Sequence, residues 1–470
     1  MQDQLTDPKR AVAEIGEKLN RFLRSSRYAQ KRAEIEGIVE FSRTTAEERL
    51  AGILAHARDR VPRYRALQDR AALTLGDFPL TLKTDLRDRF TDSISRDETG
   101  RMEPGHYFIH ETSGSTGQPV RLLTTAETGG LSSLVIAERL NRYLELPDTG
   151  TELNLGLQYE GTPLVEAGYL PRPYVRCNLR GFDPSSPRIA QTYAATVGAF
   201  PVDRIVGTSS RLVGLARYCL ERGVELRPKA VVASYEHLPE EGRRLIEEAF
   251  GRSVTTVYVT SETGPAAWEC RRGSLHFQDD VVTPELLPYQ GDPALRSITL
   301  TALLSRAMPV LRYVTGDLSA PATDCGCGLP GTAVHSLVGR SKATLVGADG
   351  SVYSPYALLA ALSNAGLPDF QVLQEQPGDL QLIVPEPTAE VRRCVEAIDD
   401  DLAAYFADGR GLRLRLSAAD TFVLSGRGKR NPVVQRLDVA PGAVEGTGYL
   451  RSGVRSPAYT GPVPQRPSVP

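Results

Sequence analysis

The sequence lacks the features that mark membrane, secreted and nucleic-acid-binding proteins. Its 470 residues carry a formal net charge of −2 and a pI near 6.4, which gives no electrostatic reason to expect nucleic acid or an anionic membrane as a partner. No apolar run approaches the ~20 residues that a membrane-spanning helix needs. The first residues, MQDQLTDPKR, also lack the apolar centre of a signal peptide. We therefore expect a cytoplasmic protein with no membrane or nucleic-acid partner.

Cysteine is scarce, with six residues in the chain. Since a cytoplasmic protein keeps its thiols reduced, we expect free thiols or metal ligands rather than disulfides. Internal repeats are absent, and so is the G-x-x-x-x-G-K-[ST] spacing of a Walker A loop, which excludes a P-loop NTPase. A chain of this length is too long for one compact core, so two domains are the default expectation.

Short apolar runs alternate with helical patterns through the middle of the chain. Strand-like runs followed by turn residues lie at 153–157, 204–207, 230–233 and 255–259. Helical spacing separates the last three runs, over 211–222 and Glu240–Phe250. This alternation predicts an α/β fold with a mostly parallel sheet flanked by helices, and functional loops at the carboxyl ends of the strands. Earlier, a capping box at Thr45-x-x-Glu48 predicts the start of a helix that Pro62 ends.

The pattern changes character at Gly339. From there, helical patterns are found over 353–362 and 388–406, and strand-like runs over 380–384, 412–416 and 422–424. The sequence therefore predicts a large domain over 1–338 and a small α+β domain over 339–440. The tail, 441–470, is rich in Pro, Gly, Ser and Arg, so we expect it to be disordered.

A polar loop follows the apolar run 107–109. It reads Thr112-Ser113-Gly114-Ser115-Thr116-Gly117-Gln118-Pro119. Hydroxyls and exposed backbone N–H groups can hold phosphate oxygens, and glycine permits the close backbone approach that this requires. An ordinary surface turn is the alternative, because Ser, Thr and Gly are common turn residues.

The loop resembles the phosphate-binding loop of the adenylate-forming superfamily, and other segments resemble its phenylacetate–CoA ligase group in the same order. They are 53–64 (ILAHARDRVPRY), 78–86 (FPLTLKTDL), 203–212 (DRIVGTSSRL), 234–238 (SYEHL), 258–262 (YVTSE), 313–318 (YVTGDL), 339–342 (GRSK) and 426–430 (GRGKR). The resemblance implies a large adenylate-forming domain and a small mobile C-terminal domain. It also implies an ATP-dependent ligase that activates a small or aromatic carboxylic acid as acyl-AMP, releases pyrophosphate, and transfers the acyl group to a thiol, most simply that of CoA.

The resemblance assigns roles to the residues that match the family's motifs. The implied phosphate contacts are Thr112, Ser113, Gly114, Ser115, Thr116 and Gly117. The implied adenine and ribose contacts are Ser234, Tyr235, Glu236, Tyr258, Ser261, Asp317 and Arg340. Glu262 would hold Mg²⁺, because a hard cation prefers carboxylate oxygen. The implied catalytic residues are Thr116, Glu262 and Lys429. Lys429 would bridge the acid and the α-phosphate. Lys342 would be the hinge between the two domains.

The acid pocket is expected near the ends of the middle strands, framed by Gln158, Tyr159, Ser209, Ala233 and Thr260. Two departures from the family's pattern bear on the reaction. Gln118 stands where the family usually has lysine, and 346–353 replaces the usual R-G-x-N-V-F-P pattern. A carrier-protein thiol, an amine or an unusual oxyanion therefore stays open as the acceptor, as does a non-catalytic nucleotide-binding protein. A homodimer is expected by analogy.

A second site is indicated by cysteine and histidine spacing. Cys270 and His276 lie in one segment, and Cys325 and Cys327 flank a glycine in another. Three thiolates and an imidazole suit a tetrahedral structural Zn²⁺ site, and the phenylacetate–CoA ligase group includes members with a zinc site in these places. Scattered buried thiols are the alternative, although the polar loop around Cys325 is poor core material.

Overall fold

A computed structural model describes most of the chain between residues 26 and 437. The described residues are 26–99, 107–111, 120–125, 130–156, 165–168, 171–178, 202–289, 292–335, 337–340, 345–350, 352–353, 355, 358–359, 362, 367, 369–384, 387–405, 411–418, 421–424 and 430–437. Within these ranges no helix is both long enough and apolar enough to cross a bilayer.

The helices and strands alternate through the first three quarters of the chain. The helices are α1 (Ser26–Val39), α2 (Arg43–Arg60), α3 (Lys83–Asp88), α4 (Arg96–Thr99), α5 (Leu131–Tyr143), α6 (Ser209–Arg222), α7 (Glu240–Phe250) and α8 (Ala389–Tyr405). The strands are β1 (Tyr107–Glu111), β2 (Arg121–Thr125), β3 (Gly150–Leu155), β4 (Val165–Gly168), β5 (Tyr174–Asn178), β6 (Arg204–Thr208), β7 (Ala230–Ser234), β8 (Val254–Thr260), β9 (Gly264–Glu269), β10 (Leu275–Phe277), β11 (Val282–Tyr289), β12 (Asp292–Ala302), β13 (Tyr313–Ser319), β14 (Ala333–Val334), β15 (Leu337–Arg340), β16 (Leu345–Val346), β17 (Val352–Tyr353), β18 (Gln371–Gln376), β19 (Asp379–Ile383), β20 (Arg413–Leu416) and β21 (Val433–Gln435). Short 3₁₀ turns lie at Pro62–Leu67, Leu75–Asp77 and Thr91–Ser93.

A nine-stranded sheet forms the centre of the large domain, in the order β14-β10-β9-β8-β7-β6-β3-β5-β4. Strands β5, β3, β6, β7 and β8 are parallel to one another. The pairs β4–β5, β8–β9, β9–β10 and β10–β14 are antiparallel. Helices α6 and α7 pack on one face, where Val231 of β7 joins Leu212 and Phe250 in one core. Helix α5 packs on the other face, with Val232 of β7 and Ile136 in a second core. The predicted α/β fold, a mostly parallel sheet flanked by helices, is confirmed.

The chain also forms two four-stranded sheets. Strands β11, β12, β13 and β15 form an antiparallel sheet, and its residue Ile298 shares the core of the α5 face. After Leu345, strands β20, β19, β18 and β21 form a separate four-stranded sheet. This last sheet has its own apolar core, to which α8 contributes Val395 and the strands contribute Val372 and Leu382.

Several local predictions need correction. Helix α2 starts three residues earlier than its predicted capping box, because the Ser42 hydroxyl, not that of Thr45, caps it by accepting from the Thr45 amide at 3.2 Å. Tyr353 lies in strand β17 rather than in a helix, since it pairs with Leu345. The predicted strand over 422–424 is reduced to one antiparallel bridge, between Leu424 and Arg430. The N-terminal residues 1–25 and the tail 441–470 lie outside the described residues.

Candidate active site

The carboxyl ends of β6, β7 and β8 lie side by side. Thr208 is in register with Ser234, and Ser234 with Val257, so the three parallel strands end along one edge of the sheet. Polar residues follow each strand at this edge, with Ser209 opening α6 after β6. The structure thereby places Ser209, Ser234 and Thr260 at one edge of the sheet, the position at which α/β proteins bind ligands. Sequence reasoning placed functional loops at this edge.

Tyr258 and Asp317 meet across two sheets. The Tyr258 hydroxyl, on β8, donates a hydrogen bond of 2.7 Å to Asp317 Oδ2, on β13. Tyr258 is buried, and the edge of its ring packs against Phe277 with centroids 6.1 Å apart. The Thr315 hydroxyl accepts from the Asp317 amide at 3.0 Å, and Gly316 between them has a φ of +78° that favours glycine. The Asp317 carboxylate is therefore held in a defined orientation beside the strand ends.

Glu262 lies on a turn that follows β8. The Thr260 hydroxyl accepts the Thr263 amide at 3.1 Å and lies 2.9 Å from the Thr263 hydroxyl, which closes the turn. Gly264 then re-enters the sheet with a φ of +78°, and a side chain there would approach the Ser133 hydroxyl to 3.0 Å. Glu262 itself is half-buried. A carboxylate on this hydrogen-bonded turn, at the edge where the parallel strands end, offers the oxygen donor that Mg²⁺ requires.

The turn after β7 carries a residue in an unfavourable conformation. Tyr235 adopts a left-handed φ of 67° and is 41% exposed. A bulky residue in this region costs on the order of 1–3 kcal/mol, and such strain clusters at functional sites. The exposed ring lies directly after Ser234, at the common edge of the strands. This position fits the adenine contact that the sequence predicts for Tyr235.

Glu236 makes contacts that its sequence motif did not indicate. Its Oε2 accepts from the amide of Ser210 at 3.0 Å and from the Ser210 hydroxyl at 2.7 Å, at the start of α6. Its backbone carbonyl accepts from the Ser209 hydroxyl at 3.0 Å. Its Oε1 accepts from the backbone amide of Arg430 at 2.9 Å. The carboxylate thus caps a helix and contacts the C-terminal part of the chain, and no local sequence signal identifies Arg430 or Ser210 as partners.

Several predicted site residues lie outside the described part of the chain. These are Thr112, Ser113, Gly114, Ser115, Thr116, Gly117, Gln118, Gln158, Tyr159, Lys342 and Lys429. Arg340 is described in its backbone, which pairs with Asp317 between β15 and β13. Ala233 is buried in β7, one residue before the turn that carries Tyr235.

Four metal-ligating side chains converge where β9, β10 and the loop before β14 meet. The ligand atoms of Cys270, His276, Cys325 and Cys327 all lie within 4.8 Å of one another. Cys270 Sγ is 3.9 Å from Cys325 Sγ, and His276 Nε2 is 3.0 Å and 3.2 Å from the sulfurs of Cys325 and Cys327. Tetrahedral Zn–S bonds of about 2.3 Å place sulfurs roughly 3.8 Å apart. The donor set and its spacing therefore fit one zinc ion.

The surroundings of the cluster favour metal binding over packing. His276 Nδ1 lies 3.3 Å from the Pro330 carbonyl, which leaves Nε2 directed at the sulfurs. Burial lowers the pKa of His276, which favours the neutral imidazole. At Gly331, with a φ of +88°, a Cβ atom would come within 1.9 Å of the Phe277 carbonyl oxygen, so this loop requires glycine.

The sequence relatives and the solved structure described below are all CoA ligases. No protein-family model matches the chain. The chain is 29% identical over 421 residues to a phenylacetate-coenzyme A ligase of Thermus thermophilus, covering 80% of this chain and 92% of that protein. It is 26% identical over 336 residues to a phenylacetate-coenzyme A ligase of Pseudomonas putida, covering 64% and 70%. The crystal structure of a 2-hydroxyisobutyryl-CoA ligase in its postadenylation state, in complex with R3-HIB-AMP, superposes with a TM-score of 0.58 at 17% identity over 83% of this chain and 88% of that one. That likeness concerns the fold alone.

Proposed function

We propose that this chain, a member of the adenylate-forming superfamily related to the phenylacetate–CoA ligases, is an ATP-dependent acid–CoA ligase. It would join a carboxylic acid to the AMP moiety of ATP, release pyrophosphate, and then transfer the acyl group to the CoA thiol with release of AMP. A small or aromatic acid is the proposed substrate. ATP, the acid and CoA are the proposed small-molecule partners.

The contact between Tyr258 and Asp317 is the observation that carries this proposal. An ionised carboxylate can accept hydrogen bonds from two neighbouring hydroxyls, as the ribose of ATP offers. The Tyr258 phenol, on the strand that ends at the turn of Glu262, fixes one carboxylate oxygen of Asp317. Residues assigned to adenine, ribose and metal thus lie at or beside one edge of the sheet, although Tyr258 and Asp317 are separated by 59 positions in the chain.

The chemistry of the first step needs positioning and positive charge. An oxygen of the acid would attack the α-phosphorus while the bond to the bridging oxygen of the pyrophosphate breaks, and the electron pair leaves with that group. Lys429 would place an ammonium between the acid and the α-phosphate, and the 112–117 loop would hold the outer phosphates. Glu262 would hold Mg²⁺, whose charge offsets that of the phosphates. In the second step the CoA thiolate would attack the acyl carbonyl and AMP would leave.

We further propose that the cluster of Cys270, His276, Cys325 and Cys327 binds a structural Zn²⁺ ion. Four protein ligands leave no open coordination position, which is the mark of a structural site. The ion would tie β10 and the loop before β14 to the end of β9. Cys270 and His276 follow Glu262 in the chain, and Cys325 and Cys327 follow Asp317, so the metal would stabilise the framework of the nucleotide site and take no part in the reaction.

The segment 346–353 bears on which acceptor the chain uses. The departure from the family's pattern over 346–353 includes a short β16–β17 ladder, in which Leu345 pairs with Tyr353 and Val346 with Val352. A carrier-protein thiol or an amine would replace CoA if this ladder alters the thiol path. A non-catalytic nucleotide-binding protein is the alternative from another class. A homodimer stays a prediction from the resemblance.

Pyrophosphate release tests the proposal directly. The purified chain would be incubated with Mg·ATP and a panel of aromatic and small acids, each with and without CoA. We expect release that depends on one acid and yields its CoA thioester, and strong loss of release in the Asp317→Ala variant. Acid-dependent release without thioester would indicate another acceptor. ATP binding without release for any acid would contradict the catalytic proposal and favour the nucleotide-binding alternative.

A further inference from the structure

Two motifs of the chain, 53–64 and 78–86, have no role in the proposed function, and both pack at the start of β13. Phe78 is buried, and its ring packs edge-on against the Tyr64 ring with centroids 5.1 Å apart. Both rings belong to one apolar core with Leu311, which precedes β13 in the chain. The two motifs therefore form one packed unit beside the strand that carries the predicted ribose contact.

Arg312 joins this packed unit to the antiparallel sheet of β11, β12 and β13. Its Nε and Nη2 donate to the two carboxylate oxygens of Glu285, on β11, at 3.0 Å and 2.9 Å. Its Nη1 donates to the backbone carbonyls of Phe78 at 2.8 Å and Gly76 at 3.3 Å. The Arg312 side chain is only 15% exposed. A planar guanidinium reaches a carboxylate with two parallel bonds and still has donors for both carbonyls.

The backbone of Arg312 is fixed as well. Its amide donates to the Thr301 hydroxyl at 3.0 Å, and its carbonyl accepts from the Thr81 amide at 2.9 Å. The Val314 amide donates to the Thr81 carbonyl at 2.9 Å, so Thr81 adds a parallel bridge to the edge of β13. Arg312 has a left-handed φ of 48°. This conformation is uncommon outside glycine, persists where the surroundings impose it, and clusters at functional sites.

Asp317 lies in a bulge just after these contacts. Strand β13 places three residues, 315–317, opposite the single residue Ile298 of β12. Thr81 pairs with β13 before the bulge, and β15 pairs with it from Asp317 onward. Within the bulge, the Thr315 hydroxyl donates to the Ile298 carbonyl at 2.9 Å. Because a bulge redirects a side chain, the place of the Asp317 carboxylate depends on how each half of β13 is fixed.

We propose that Arg312 is a positioning residue for Asp317. It holds the first half of β13 between Glu285 and the 76–81 segment, and thereby fixes the bulge from which the Asp317 carboxylate meets the Tyr258 phenol. The role of Asp317 as a ribose contact rests on the proposed function, whereas the effect of Arg312 on its position does not. Loss of Arg312 would weaken nucleotide binding without removing a group that is assigned to the nucleotide.

Amide hydrogen exchange of the full-length chain without substrate tests the positioning. The variant is Arg312→Gly, since glycine accepts the left-handed φ and only the guanidinium is lost. The matched control is Arg172→Gly, because Arg172 is 13% exposed and paired with the buried Glu138 before β5. We expect peptide 313–319 to exchange at least about tenfold faster in Arg312→Gly and within about twofold of wild type in the control. Unchanged exchange in Arg312→Gly, or equal acceleration of peptide 254–260, would overturn the proposal.

Calorimetric binding of AMP supplies a second readout that needs no turnover. We expect Arg312→Gly to weaken AMP binding by about tenfold, the order expected for a lost hydrogen bond to a charged group. In the Asp317→Asn background, the same substitution should change the affinity by less than about twofold, because an effect that acts through Asp317 is not additive with its loss. Additive losses would show a general structural role and overturn the positioning assignment.

Two further outcomes are distinguishable. A wild type that binds neither AMP nor ATP would refute the proposed function, yet the exchange experiment would still decide whether Arg312 fixes the strand of Asp317. If Arg312→Gly does not fold, Arg312→Lys is measured with the same expectations. The lysine keeps a charge beside Glu285 but lacks the planar fork that also reaches the two carbonyls.

Discussion

If the cluster of Cys270, His276, Cys325 and Cys327 binds the proposed Zn²⁺ ion, removing one thiolate should release the ion and lower the stability of the large domain. We consider Cys325→Ser, because Cys325 lies close to a second thiol and to the imidazole, with Cys270 Sγ at 3.9 Å and His276 Nε2 at 3.0 Å. A hydroxyl is a poor replacement for a thiolate at zinc, so the affinity should fall below what purification retains.

The expected loss of stability follows from the length of the loop that the proposed metal site would close. Cys270 and Cys325 are 55 residues apart, and in the chain-entropy treatment a cross-link closing a loop of that length contributes about 4 kcal/mol at 25 °C. Cross-links often contribute less than this treatment gives. We therefore expect a loss of about 2–4 kcal/mol in unfolding free energy. For a domain of this size it corresponds to a fall in Tm of roughly 3–6 °C.

The assay combines metal analysis by mass spectrometry with thermal unfolding, in the presence and absence of a chelator. The wild type should contain about one zinc per chain, and the Cys325→Ser variant essentially none. Cys394→Ser, a substitution in α8 outside the cluster, is the matched control and should retain the metal. Full zinc content in Cys325→Ser, or a wild type without zinc whose Tm is unaffected by the chelator, would refute the reasoning.

Two further predictions concern the nucleotide site and the central sheet. Tyr258→Phe removes the phenol that holds Asp317, and since hydrogen bonds to charged groups contribute about 1.5–3 kcal/mol, we expect KM for ATP to rise about tenfold with kcat within twofold; an unchanged KM contradicts this. Glu152→Gln should lower the unfolding free energy by about 3 kcal/mol at pH 7, because it leaves Arg176 and Arg204 without their buried counter-charge. Burial opposes ionisation of Glu152, but the two arginines outweigh it and hold its pKa below the usual 4.5. The contribution is therefore present above pH ~4.5 and lost as pH falls through the lower folded pKa, so urea unfolding of the two proteins should converge in acid; a constant difference would contradict the assignment.

Local patterns predicted the secondary structure best where helical periodicity and end signals agreed. The predicted helix Glu240–Phe250 matches α7 because Pro239 precedes it and Gly251, with a φ of +63°, ends it. At α2, Ser42 and Thr45 both carry a hydroxyl that could cap the helix, and the capping-box pattern at Thr45 predicted the wrong residue. The predicted strand over 422–424 was wrong because a short apolar run does not show whether a partner strand exists.

The candidate site was predictable in its residue types but not in its contacts. The four residues of the proposed zinc site were predicted from spacing, chemistry and the family resemblance, and the structure brings their ligand atoms within 4.8 Å of one another. The adenine contact of Glu236 stays a prediction, and the contacts of its carboxylate with Ser210 and Arg430 were not predicted. Such a contact depends on how two domains meet, and neither periodicity nor motif spacing carries that information.

The most direct test of the central claim is detection of the acyl-adenylate itself. The chain would be mixed with Mg·ATP and the preferred acid without CoA, quenched, and analysed by mass spectrometry for acyl-AMP, and CoA would then be added to a parallel sample. We predict about one acyl-AMP per active site before CoA, and its conversion to AMP and acyl-CoA afterwards. ATP that stays intact with every acid, or is cleaved to ADP and phosphate, would contradict the account.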